Sequence, residues 1–113
     1  MKIIEDVIDR EELQRMAAAG FGNMVKAVVD IEAELLAVDA ELHADLEALF
    51  LQEGSLQANV WGINLYPELS GEEFVEFDSM INVRPSQNNK SRGVDSEAIR
   101  TQILKIVGKR VKS

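Results

Sequence analysis

The chain has 113 residues, 46% of them hydrophobic, no cysteine and a formal net charge of −8. That supplies one core and too little chain for two, so a single domain over residues 1–113 is expected. The lack of cysteine excludes disulfides, thiolate zinc sites, iron–sulfur clusters and cysteine nucleophiles, and no apolar run is long enough to span a bilayer. The charge is unevenly placed: residues 1–83 carry 4 Lys/Arg against 18 Asp/Glu, and residues 84–113 carry 8 against 2. An acidic body of this kind repels the phosphates of duplex nucleic acid. The basic end suits an anion or an acidic partner surface. Met1-Lys2-Ile3-Ile4-Glu5-Asp6 meets acid too early for a secretory signal, so a cytoplasmic location is expected.

Asp9 reads as the cap of a first helix over residues 10–19, with Glu12 at capping-box spacing and Leu13, Met16 and Ala17 as its apolar stripe. Gly20 and Gly22 end it. From Met24 to Glu32, Val25, Ala27, Val29 and Ile31 alternate with Lys26, Asp30 and Glu32 as in a strand. Residues 33–53 are ambiguous: Leu35, Val38, Leu42, Leu46 and Leu49 fit a helical stripe, yet Glu41, His43, Asp45 and Glu47 also alternate with Leu42, Ala44 and Leu46. After a turn at Gln52–Ser55, residues 60–66 read as a strand with Trp61, Ile63 and Leu65 on one face. Residues 74–84 form the clearest strand pattern, with Val75, Phe77, Ile81 and Val83 inward, and the short 67–71 connection predicts a hairpin between the two. A polar loop at 85–93 leads to a last helix over 96–110, capped by Asp95 or Ser96.

Four segments, Val25-Lys26-Ala27-Val28-Val29-Asp30, Glu41-Leu42-His43-Ala44-Asp45, Trp61-Gly62-Ile63-Asn64-Leu65-Tyr66-Pro67 and Phe77-Asp78-Ser79-Met80-Ile81-Asn82-Val83-Arg84-Pro85, together resemble a family of short bacterial and archaeal proteins classed as a domain of unknown function. The resemblance covers about residues 22–107 and implies no activity. It does imply a turn at Asp39-Ala40, where the relatives tend to carry two glycines. Residues 33–53 are then read as strand, turn and strand. The expected fold is α+β: a small, mostly antiparallel sheet with an N-terminal and a C-terminal helix on one face. The alternative keeps residues 31–53 as one long helix.

Three polar constellations can carry chemistry. On a strand, Glu41, His43 and Asp45 share one face within about 14 Å, and Asp78 from a neighbouring strand would complete a divalent-metal site for a hydrolase. The plainer reading makes His43 an ordinary hydrogen-bonding residue. As the sole histidine it excludes a two-histidine zinc site. Glu76, Asp78, Asn82 and Arg84, with Asn64, make a polar sheet face, of which the plainer account is cross-strand pairing. The loop Arg84–Arg92 brings Arg84, Lys90 and Arg92 together with Ser86 and Asn88 before a helix N-terminus, which suits a phosphate, nucleotide or carboxylate. A solvated loop is its plainer account. Trp61 reads as core. The leading expectation is a binding or interaction module without catalytic activity, resident metal or cofactor, whose partner is a second copy, another protein or a small anion. An anion sensor built on the Arg84–Arg92 loop stands next, and the metal-dependent hydrolase third.

Overall fold

Asp9 starts the first helix as its position predicts. Its Oδ1 accepts the Glu12 N–H at 2.8 Å, and α1 (Arg10–Ala19) buries Leu13 and Ala17 in the computed structural model, which describes residues 1–112. The expected strands over 25–30 and 60–65 form as β3 (Val25–Asp30) and β5 (Val60–Leu65), paired antiparallel along their whole length from Val25↔Leu65 to Asp30↔Val60. The last helix, α3 (Glu97–Arg110), is capped by the Ser96 hydroxyl, which accepts the Ile99 N–H.

Two elements were not legible. β1 (Lys2–Ile4) is a three-residue edge strand on β4 (Leu35–Val38). A short parallel pair joins β2 (Ile8–Asp9) to β7 (Val111–Lys112). With β6 (Val75–Glu76), the main sheet is five-stranded and antiparallel, in the order β1-β4-β3-β5-β6. The class is therefore α+β, as expected.

The connections explain the layers. β1 and β3 are parallel with β4 between them, joined through α1. β4 and β5 are parallel with β3 between them, joined through α2 (His43–Gln52). Both connections step the same way across the sheet, but from strands of opposite direction. Crossovers of one hand then lay their helices on opposite faces. One face, with Ala27, Val29, Leu36, Val38, Trp61, Ile63 and Leu65, packs against Leu13 and Ala17 of α1 and Ile103, Ile106 and Val107 of α3. The other, with Val28, Ala37 and Val60, packs against Leu46 and Phe50 of α2. Burying each of these large side chains contributes roughly 1.5–3 kcal/mol.

Residues 33–53 are thus neither strand–turn–strand nor a single helix over 31–53: they are a strand, a turn and a helix. The turn falls where the resemblance implies. Asp39 has φ 75°, the left-handed conformation that glycine adopts without strain. Beyond it, the helical spacing of His43, Leu46 and Phe50, all buried, outweighs the period-two alternation. The 74–84 segment is the second correction. Only Val75 and Glu76 pair with β5, at Leu65 and Asn64, and Met80–Asn82 turns into a 3₁₀ helix whose start is capped by the Ser79 hydroxyl. The sheet face expected to stay free is consequently covered by α2 and residues 77–93.

The uneven charge is largely resolved inside the molecule. Arg110 donates to the carbonyls of Glu34, Glu5 and Asp6, and Lys109 pairs with Glu34 at 3.3 Å. No helix among the described residues is long and apolar enough to cross a membrane.

Candidate functional site

β6 covers only one end of β5, so the other end of that edge must find partners elsewhere. Side chains from the next segment supply them. Asn82 lies fully buried, accepts the Gly62 N–H at 2.8 Å and donates Nδ2 to the Gly62 carbonyl at 2.9 Å and to that of Arg92 at 3.0 Å. One amide thereby replaces a strand partner. Arg84 continues the edge: its Nε donates to the Ile81 carbonyl, and its Nη2 to the Val60 carbonyl and, at 3.5 Å, to Glu47 of α2. The guanidinium lies over the Trp61 ring at 4.7 Å. Burial works against its charge and Glu47 opposes that effect.

The Arg84–Arg92 loop is therefore not assembled as an open anion site. Asn89, buried, donates Nδ2 to the carbonyls of Asn82 and Gly93 and accepts the Asp95 N–H. Asp95 accepts from the Ser91 hydroxyl at 2.6 Å and from the Lys90 N–H at 3.1 Å, and the Ser91 bond first of all holds its carboxyl below the usual aspartate value. Ser86, Asn88 and Lys90 stay exposed, and Arg92 is bound to Asp78 at 2.6 Å. The polar residues of this loop mostly close the loop on itself.

The Glu41–His43–Asp45 row does not form either. Glu41 is exposed in the turn, His43 is the first residue of α2 and buried, and Asp45 is exposed in the first helical turn. No group of three His, Asp or Glu side chains among the described residues is placed to hold a metal ion.

The structure does bring His43, Asp78 and Arg92 to one cleft of about 510 Å³, between the N-terminus of α2 and the polar end of β5 and β6. Cross-strand register builds its floor. Lys26, Asn64 and Glu76 stand opposite one another on β3, β5 and β6. Asn64 donates Nδ2 to Glu76 Oε1 at 2.9 Å and to the Asp78 carbonyl at 3.2 Å. Tyr66 donates its hydroxyl to the same Glu76 oxygen at 3.1 Å. Partial burial and then the Glu76 carboxylate push the Tyr66 pKa up, so it stays a donor. The lips are apolar: Leu42 is 56% exposed and Met80 65%. Lys26 and Tyr66 were not singled out by sequence. The signal that identifies them is the β3–β5–β6 register, which a single sequence does not display.

His43 forms the inner wall. Its Nε2 lies 2.8 Å from the Ile63 carbonyl, which can only accept, so Nε2 carries the proton and Nδ1 keeps its lone pair. Burial lowers the ring's pKa. The Ile63 carbonyl is the chief opposing effect, with Lys26 adding to the fall and Asn64 and Asp78 resisting it. Because the folded value lies below the unfolded value of about 6.5, the unfolded chain binds the extra proton first. His43 therefore stabilises the fold fully above about pH 6.5, and that contribution is lost as pH falls through and below it. Melting curves of wild type and His43→Gln should converge on acidification below that point. Curves that stay parallel would show that His43 is not buried neutral.

The family model described as Protein of unknown function (DUF5674) matches residues 2–110. No curated protein matches the chain, and no solved structure does.

Proposed function

The chain belongs to the DUF5674 family of proteins of unknown function, and we propose that it is a binding module whose site is the cleft at the N-terminus of α2. One observation carries this reading: polar side chains that the fold does not need for its core, among them Lys26, Tyr66 and Asp78, gather with His43 and Asn64 under exposed Leu42 and Met80. Polar groups fixing orientation inside an apolar rim are the usual composition of a small-ligand site, and the volume lies within the usual range for one. Nothing in the arrangement pairs a nucleophile with a base, which favours binding over catalysis. By contrast, Asn82, Arg84 and Asn89 are spent on backbone groups.

The test is a mixture screen of small metabolites against the full chain, read by amide chemical shifts. A ligand present at a hundred times its Kd should stabilise the fold by about 2.7 kcal/mol, a rise in Tm on the order of 10 °C. The shifted amides should cluster at His43, Ala44, Asn64 and Tyr66. Shifts confined to the Arg84–Arg92 loop, or a screen without any response at the cleft, would overturn the reading.

A further inference from the structure

The cleft has two chemically distinct sides. On one, α2 begins at Leu42, whose side chain makes no cap, so the first-turn N–H groups of the helix are left without a side-chain acceptor and carry the positive end of its dipole. Lys26 lies on that side. Its ammonium sits over the Phe21 ring at 5.1 Å and makes no ion pair among the described residues. On the other side stands the Glu76 carboxylate, two strands away and so roughly 10 Å from Lys26 across the sheet.

Between them lies Asn64, 5% exposed. Its Nδ2 is used by Glu76 and the Asp78 carbonyl, which turns Oδ1 away from them, to the side where His43 stands. Oδ1 has no hydrogen-bond donor. A buried acceptor left unfilled costs about 1–3 kcal/mol, so its native partner is a donor from outside the chain. An uncapped helix start asks for an anion, and the orphaned oxygen beside Glu76 asks for an N–H group. A single molecule meets both only if it carries both charges.

We propose that the cleft takes a small zwitterion of the free α-amino-acid kind, its carboxylate at the α2 N-terminus beside Lys26 and its ammonium towards Asn64 and Glu76. This rests on the cleft being a binding site at all. The volume of about 510 Å³ leaves room for a side chain against Leu42 and Met80.

The experiment titrates the full chain with the free L-amino acids and, for the best of them, with its two halves: the des-amino carboxylate and the decarboxylated amine. The expected result is that each half binds at least about tenfold more weakly than the zwitterion, since each loses one charge-assisted hydrogen bond. Lys26→Gln should remove the advantage over the amine, and Glu76→Gln the advantage over the carboxylate. Both variants are checked for wild-type melting so that misfolding is not mistaken for lost affinity. A carboxylate or inorganic phosphate that binds the cleft as well as the zwitterion overturns this proposal and leaves the binding module standing. No amino acid bound at about 10 mM overturns it too, whereas a cleft silent to the whole metabolite mixture removes the binding reading itself.

Discussion

Asn82→Ala should be the most damaging single polar substitution in the chain. The side chain holds both backbone groups of Gly62 and the carbonyl of Arg92 in a site without solvent. Alanine leaves all three unpaired, and each buried unsatisfied group costs roughly 1–3 kcal/mol. A loss of about 3–4 kcal/mol is expected, which in a domain of this length lowers Tm on the order of 15 °C. Urea denaturation followed by circular dichroism measures it. Asn82→Asp is the sharper control, because it keeps an acceptor for the Gly62 N–H and removes the donor. Wild-type stability in Asn82→Ala would mean that the edge of β5 is satisfied by something other than this amide.

Gly62→Ala should be nearly as costly, for a steric reason. A Cβ at Gly62 would stand 2.6 Å from both Cβ and Oγ of Ser79 and 3.1 Å from Cγ1 of Ile81. Ser79 cannot easily retreat: it is 1% exposed, its N–H is bonded to the Arg92 carbonyl at 2.9 Å, and its hydroxyl accepts the Ile81 N–H. Overpacking of this kind costs about 1–3 kcal/mol. Adding Ser79→Gly removes both offending atoms, so the double variant should be more stable than the sum of the two losses predicts. Strict additivity would place the clash elsewhere.

These two residues also mark where the sequence stops being legible. α1, β3, β5 and α3 follow from local rules, since their caps and apolar periods agree with their final packing. The segment after Val75 obeys a local rule and still departs from it. Its alternation of Phe77, Ser79, Ile81 and Val83 reads as a strand, yet Asn82 and Ser79 offer their own side chains to backbone groups and replace the ladder with a staple. Nothing in a single sequence distinguishes an asparagine on a wet sheet face from one that serves as a strand partner. The same exchange explains Arg84. A loop rich in Arg, Ser and Asn looks like an anion site, but its arginine was needed by the carbonyls of Ile81 and Val60. Of the candidate residues, His43, Asp78 and Arg92 do meet at one cleft. Their meeting depends on α2 crossing over β3, a long-range event that local periodicity does not encode.

That pair of strand-skipping connections bears on how fast the molecule assembles. β4 cannot be flanked by β1 and β3, nor β3 by β4 and β5, until distant stretches of chain have found each other. Closing such loops carries an entropic penalty before the contacts repay it, so folding belongs to the slow, millisecond-to-second regime of topologically complex domains. Microsecond refolding in a stopped-flow or temperature-jump measurement would contradict this. The β3–β4 hairpin, closed by a four-residue turn at 31–34, is the one part of the central sheet able to wait for the rest.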